Sequence, residues 1–595
     1  MRSPLCRFRR VEVPFAVAIL LAGGPFAPGA ARAADPPEQS QPAETVLVGG
    51  KILTMDREAR IVQAVAVRDG RIAAVGTDRK IRNLAGPKTR VIELNGKTVV
   101  PGFIAAHCHA VGVARRTIDQ PHAELLSIAE VQDWIRTRAK ELPEGRWIRV
   151  PRTEITRLEE LRHPTRAELD AACTTHPVLF SAARKHALNS AGFRALGVKP
   201  GSDELPGGRV IRDADGGPRL IALGDAFIEE QIPKPEHSEQ EIRAFLEEVH
   251  RRYNSVGITS IFERASEIDD YRMYEALRDA GRLNVRMTQT FRTSFASGKA
   301  VEEYARKLGL KTGDGDDWVR VGPLKIVVDG GIHWGNTYLR EPYGEKRARF
   351  YVLDDPRYRG DLHYDVERMA DIFRAAHRLG WQLCTHVTGD AGVDRVLDAL
   401  EAAEKDEPGI VNRRFSLTHA YFPATDSARR AHALGVGLDT QPNLYYKDSR
   451  AIAAIYGEDW AARFTGVGEW LRAGVPTALA GDHMVGLDPN TAMNAYNPFL
   501  MLHVAVVRKN REGKTYGPEQ KVGRIEALRC VTNHPAWLEF TEDRKGSLEP
   551  GKFADLAVLD RDYLACPEEE IKEIGVVLTM VDGRVVYQKA EGGQQ

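Results

Sequence analysis

Two histidines stand one residue apart at the end of an apolar run, Val99-Val100-Pro101-Gly102-Phe103-Ile104-Ala105-Ala106-His107-Cys108-His109. Side chains alternate faces along a strand, so His107 and His109 project to the same side. Two neutral imidazoles aimed at one point supply half of a metal site. Three later strand-like runs end in His386, His419 and Asp482, and another carries Lys325. Converging, these groups could hold two divalent cations and leave a position for water. Zinc is the first expectation for an imidazole-rich hydrolytic set. The chemistry open to such a set is that of metal-bound water.

Lys325 lies within Leu324-Lys325-Ile326-Val327-Val328. An ammonium buried among such neighbours is costly unless it is paired or neutral. A neutral lysine amine can add carbon dioxide, and the carbamate's two oxygens can bridge two cations. The plainer reading pairs Lys325 with Asp329 or lets it reach solvent at the strand end.

Something must bring these residues together, and the middle of the chain alternates apolar strands with helices. The strand candidates end near His109 and at residues 257–262, 285–289, 324–328, 382–386, 415–419, 436–440 and 477–482. Eight such strands predict an α/β architecture, a (β/α)8 TIM-type barrel, whose strand ends open on one face. Their continuous apolar character suits parallel strands buried on both sides. Residues 110–250 are too long for one crossover and read as an insertion after the first strand. Residues 44–98 read as short strands with tight turns, Asp69-Gly70 among them, and Asp582-Gly583 repeats that pattern near the C-terminus. The expected plan is a barrel at 99–540 inserted into a composite β-sandwich built from 44–98 and 541–592.

The 595 residues are 43% hydrophobic and 28% charged, with a formal net charge of zero. That length can bury a large core, and the charge balance argues against nucleic acid or an anionic membrane as partner. Arg2, Arg7, Arg9 and Arg10 precede a short apolar stretch at 15–21, and Ala31-Arg32-Ala33 reads as a cleavage site. We therefore expect a signal peptide at 1–33, a flexible leader at 34–43, and an exported protein, periplasmic or secreted, with no membrane attachment after cleavage. Cys6 leaves with the signal, and Cys108, Cys173, Cys384, Cys530 and Cys566 show no Cys-x-x-Cys spacing. No disulfide framework is expected, and Cys108 and Cys384 read as barrel packing.

At this point the chain resembles the amidohydrolase superfamily, in particular the amidohydrolase-3 group that includes N-substituted formamide deformylases. Residues 101–109 are similar to that group's Pro-Gly-Phe-Ile-Asp-x-His-x-His. Gly546-Ser547-Leu548-Glu549-Pro550-Gly551-Lys552-Phe553-Ala554-Asp555 is similar to its Gly-x-Ile-x-Pro-Gly-x-x-Ala-Asp signature. His176-Pro177-Val178, Lys185-His186-Ala187-Leu188-Asn189-Ser190, 325–330, 386–390 and Gln441-Pro442 add group features. The resemblance implies His107, His109 and Asp482 on one metal, His386 and His419 on the other, and Lys325 bridging them as a carbamate. It also implies hydrolysis of an amide-type C–N bond, with Asp482 returning the proton to the leaving amine. Two departures stand out: Arg184-Lys185 replaces the group's Asp-Gly before His186, and Ala480-Gly481-Asp482 replaces Gly-Ser-Asp. The first borders the expected substrate pocket.

Candidates to contact a small-molecule substrate are His186 and Arg184 from the insertion, His333 and Trp334 after the fourth strand, Gln441 after the seventh, and His483 beside Asp482. Two other readings share the scaffold. One is a mononuclear deaminase or a hydrolase of esters, lactones or carbamates; the other is a catalytically dead ligand-binding barrel. A homodimer is the commonest soluble assembly.

Overall fold

The apolar runs of the middle segment form β1 (Phe103–Cys108), β2 (Ile258–Ser266), β3 (Arg286–Arg292), β4 (Val319–Val327), β5 (Leu383–Val387), β6 (Ser416–His419), β7 (Gly437–Thr440) and β8 (Thr477–Leu479). The computed structural model describes residues 41–119, 122–199, 201, 203–232 and 235–590. The expected signal peptide at 1–33 and nearly all of the leader at 34–43 lie outside the described residues. The eight strands run parallel in sequence order within one sheet. The segment after β8 closes it: Asp482 N–H donates to His107 O at 3.0 Å, and His109 N–H donates to His483 O at 3.0 Å. This is the expected (β/α)8 barrel.

Strand ends differ from the sequence reading by three residues or more in three places, the first being β2, which runs on to Ser266. β3 continues to Arg292, because its last polar residues face the barrel mouth rather than a core. β8 stops at Leu479, and Asp482 sits in the following turn with φ of 51°.

Gly102 shows why the entry to β1 is fixed. A Cβ there would lie 2.2 Å from Thr259 Oγ1 on β2, so only glycine lets the strands approach. The crossover into β2 is the helix Glu239–Ser255, which opens with a capping box between Ser238 and Glu241. Its apolar face, including Leu246, Val249 and Tyr253, packs into the main core. The helix Ala110–Thr117 follows His109 and packs against it. The inserted material proper therefore begins after Thr117, not at 110.

That insertion carries its own six-stranded sheet. Within it, Val178–Ala182 and Lys185–Leu188 form a hairpin. The two turn residues, Ala183 and Arg184, have φ of 52° and 54°. Such a turn favours Asn-Gly or Asp-Gly, so this chain spends strain to place an arginine there.

Both chain ends share a sheet. Thr98–Pro101 pairs antiparallel with Leu556–Leu559 and parallel with Lys51–Leu53. A separate four-stranded sheet holds Arg71–Gly76, Ala64–Arg68, Ala43–Val48 and Ala85–Glu93. Leu47, Val65, Val67, Val99, Leu556, Val558 and Met580 fill one apolar cluster with Leu548. The C-terminal motif is thus structural: Leu548 is buried in that cluster, and Gly551 N–H donates to Ile72 O at 2.8 Å. Asp555 takes two bonds from Arg286 on β3, at 2.8 and 3.1 Å.

Candidate metal centre

Period-two geometry predicts that His107 and His109 share a face, and their ring centroids lie 5.3 Å apart. His419 closes on the group, 5.1 Å from the His107 ring and 4.5 Å from that of His386. Asp482 Oδ1 lies 3.4 Å from His107 Nε2 and 3.2 Å from His109 Nε2. Lys325 Nζ stands 3.4 Å from His107 Nε2. All six residues proposed as ligands therefore meet at the C-terminal mouth of the barrel, where such folds carry their chemistry.

Outer partners fix which nitrogen each ring presents. His107 Nδ1–H donates to Asp439 Oδ1 at 2.8 Å, which leaves Nε2 as a lone pair facing Asp482. His419 Nδ1–H donates to Gln441 Oε1 at 2.7 Å, leaving its Nε2. His386 Nε2–H donates to Gly330 O at 2.9 Å, leaving its Nδ1. Burial first, then the nearby Lys325, holds the His107 imidazole well below its ordinary pKa. Burial likewise lowers His109, His386 and His419. Burial opposes the Asp482 charge, but His107 and His109 beside it hold its carboxyl well below the usual range. Neutral imidazoles and an ionised carboxylate are the protonation states a divalent cation requires. Among the described residues, His107, His109 and Asp482 form the tightest such set, with ligand atoms within 4.8 Å of one another. The donor set fits a metal.

Lys325 is 4% exposed, and burial lowers its pKa. Asp329 does not pair with it. That carboxylate instead accepts the backbone N–H groups of Thr388 and Gly389 at 2.8 Å each, and Tyr338 N–H at 3.2 Å. Two of the ligand candidates adopt left-handed backbone, His419 with φ of 81° and Asp482 with φ of 51°. Non-glycine residues there carry strain that surrounding structure must hold, a pattern concentrated at functional sites.

The substrate candidates divide. His186, Arg184 and Trp334 line a cavity of about 1060 Å³ between the insertion and the barrel mouth. His186 binds Ser181 Oγ through Nδ1 at 2.8 Å, and its Nε2 lies 3.3 Å from Asp225 Oδ1. His333 Nε2 lies 3.2 Å from the buried Asp448, which also pairs with Arg157. Gln441 has a different task from substrate contact: its Nε2 donates to Asp439 Oδ1 at 3.2 Å while its Oε1 orients His419. His483 is also corrected, because both its nitrogens are committed. Nε2–H donates to Gly486 O at 2.7 Å, and Nδ1 accepts from Tyr253 O–H at 2.9 Å.

Asp439 and Arg264 escaped the sequence reading. Arg264 on β2 lies inside the barrel, 1% exposed, and donates to Asp439 Oδ2 at 3.1 Å. A lone carboxylate within the buried run Gly437-Leu438-Asp439-Thr440 was the available signal. Cys108 turns away from the site, its Sγ 3.3 Å from Phe262 O, and Cys384 is fully buried. The five described cysteines are free thiols. Among the described residues, no helix is long and apolar enough to cross a membrane.

Comparison with known proteins places this geometry. An N-substituted formamide deformylase of Arthrobacter pascens is 28% identical over 92% of this chain and 99% of its own. The protein LONG AFTER FAR-RED 3 of Arabidopsis thaliana is 24% identical over 92% of each chain. A metal-dependent hydrolase from Pyrococcus furiosus, of uncharacterised role, shares the fold with a TM-score of 0.62, at 22% identity over 87% of this chain and 99% of that one. The model of the amidohydrolase family matches residues 90–587. The chain is an enzyme of the amidohydrolase family.

Proposed function

We propose that this protein is an exported hydrolase that uses two divalent cations, zinc by the donor set, to cleave an amide-type C–N bond other than a peptide bond. The observation that carries the reading is the convergence of Asp482 on His107 and His109, near a cavity large enough for a small molecule that Val327, Asp329, Gly330 and Val485 help to line. The deformylase relative supports the choice of bond. His107, His109 and Asp482 would hold one cation and His386 and His419 the other. Lys325 would add two oxygens as a carbamate: its neutral amine bonds to the carbon of CO2 and releases one proton. When bound, the metal supplies acidified water at neutral pH and a polarised carbonyl. Asp482 Oδ1 holds the water's proton and passes it to the leaving nitrogen. Asn494 Nδ2 donates to the Asp482 backbone carbonyl at 2.8 Å and lies 3.4 Å from its carboxylate Oδ2. The basic N-terminal segment with Ala31-Arg32-Ala33 supports export.

One observation favours a second reading. His107, His109 and Asp482 alone make a compact single-metal set. A mononuclear deaminase or a hydrolase of esters, lactones or carbamates would need no more. Metal stoichiometry of the purified protein, expressed with and without bicarbonate, decides between them. About two metals per chain, falling in Lys325→Ala, supports the carbamate-bridged site and an amide screen. One metal, indifferent to Lys325, overturns it in favour of the mononuclear reading.

A further inference from the structure

The cavity over the barrel mouth is unevenly charged. Four of its five carboxylates are engaged within the protein: Glu229 by Arg149 at 3.0 Å, Asp225 by His186 at 3.3 Å, Asp119 by His237, and Asp329 by backbone amides, while the fifth, the buried Glu154, leaves its Oε2 without a hydrogen bond. Several of its guanidinium groups are not so engaged. Among the described residues, no carboxylate lies within 4.0 Å of the side-chain nitrogens of Arg116, Arg184 or Arg292, while Arg152 reaches Glu154 only at 4.0 Å.

Two of these cations flank the metal ligands. Arg116 lies two turns along the helix that His109 opens, and its guanidinium folds back over Gly112. A Cβ on Gly112 would be 3.6 Å from both Arg116 NH1 and His109 Cβ. The same NH1 lies 3.5 Å from the carbonyl of Met484, two residues past Asp482. Arg292 ends β3 in register with Lys325 on β4, so both side chains leave the sheet on the same face. Phe291, one residue earlier, points into the core outside the barrel. Arg116 and Arg292 are exposed and line the cavity; the charges nearest Arg116 are those of Arg152 and Asp482.

From this arrangement we propose that the substrate carries an oxyanion, a carboxylate or phosphate-type group, that docks on Arg116 and Arg292 beside the scissile bond. Guanidinium presents paired N–H donors in a plane that match two oxygens of one such group. A fixed anion site would hold the amide carbonyl in one orientation over the metal ligands. This rests on the amide-hydrolase reading above and narrows its substrate class.

The test uses the metal-loaded full chain and three probes that share the benzoyl C–N bond, followed by release of benzoate: N-benzoylglycine, its neutral C-terminal amide, and N-benzoylaminomethylphosphonate. The acid is expected to exceed the neutral partner by about 10²-fold in kcat/KM, the scale of hydrogen bonds to a charged group. A phosphonate faster than the acid supports the site and names its preferred oxyanion. Arg116→Met with Arg292→Met should reduce the acid-over-neutral ratio to near one, and Arg292→Lys should retain part of it. Faster hydrolysis of the neutral probe, or a preference that survives the double replacement, overturns the proposal and leaves the hydrolase reading standing. If no probe is hydrolysed, calorimetry separates the two ideas. Binding of N-benzoylglycine that disappears in the double variant keeps the anion site while the amidase reading falls, and no binding to the unaltered protein overturns the site.

Discussion

His107 Nδ1 lies 2.8 Å from Asp439 Oδ1, a contact that joins β1 to β7 across 332 residues of sequence. Asp439 is itself gripped by Arg264, Thr418 and Gln441, and all four side chains are buried. The network settles the tautomer of His107, whose Nε2 lies 3.4 Å from both Lys325 Nζ and Asp482 Oδ1. Partners of this kind typically change metal affinity about 10–100-fold when removed. Asp439→Asn should weaken metal binding on that scale while the fold persists, read by competition against a chromophoric chelator. Unchanged affinity would show that the ring needs no outer carboxylate.

Gln441 performs the same service for His419 with a neutral amide. Gln441→Leu removes the acceptor that keeps the proton on Nδ1, and leaves Tyr421 O–H, 3.1 Å away, as the remaining partner. Loss of one of two bound metals, with the other retained, is the expected result by elemental analysis. Loss of neither would return Gln441 to the role of substrate contact.

The proposed mechanism gives the proton to Asp482, whose carboxyl is held ionised beside two imidazoles. Asp482→Asn should lower kcat by about 10²–10⁴-fold, the usual range for a positioned acid–base group. Because Asp482 is also a ligand candidate, metal content must be measured on the same sample. A variant that keeps both its metal and its full rate removes Asp482 from the mechanism.

What could be read from the chain follows from which interactions are local. Apolar runs and their terminal histidines are short-range patterns, so the eight strands, the shared sheet of the two ends and the six ligand candidates were legible. The partners of those ligands are not local. Nothing near Asp439 in sequence points to His107, 332 residues away, and nothing near Gln441 points to His419, 22 residues away. His483 looked available because it neighbours Asp482, but Tyr253, from the crossover helix, and Gly486 occupy its two nitrogens. The strand ends misjudged at Arg292 and Asp482 lie at the barrel mouth, where polar residues replace the apolar signal. Arg116 and Arg292 were missed for a related reason: an exposed charged residue at the end of an element reads as solvated, and only the fold shows that both line the cavity.

The C-terminal motif yields a stability prediction. Arg286 is 2% exposed and stacks 3.8 Å over the Phe553 ring while binding Asp555. Removing one partner of a buried pair strands the other charge, at a cost of about 3–5 kcal/mol. Asp582 Oδ1, 3.2 Å from Arg286, should hold Asp555→Ala to the lower end of that range. The double variant Arg286→Met, Asp555→Leu should recover most of the loss in urea denaturation. A single variant within about 0.5 kcal/mol of the parent, the usual span for surface changes, would deny that the motif anchors the barrel.

Glu263 gives the pH dependence a sign. It lies buried on β2, accepts Tyr274 O–H at 2.9 Å and Val111 N–H at 3.3 Å, and burial pushes its pKa up to about 8. The unfolded chain releases the same proton near about 4.3. Between these values the folded state binds more protons than the unfolded one, so this group's stabilisation is complete at low pH and is lost as pH rises towards about 8. The slope is at most about 1.4 kcal/mol per pH unit. The buried His250, held down to about 3, acts with the opposite sign on the acid side, where folding resists its protonation. Comparing Glu263→Gln with the parent cancels that background. The variant should gain relative stability steadily from pH 5 to 8 and no further above, measured by urea denaturation at each pH. Parallel curves would show that Glu263 is already ionised in the folded protein.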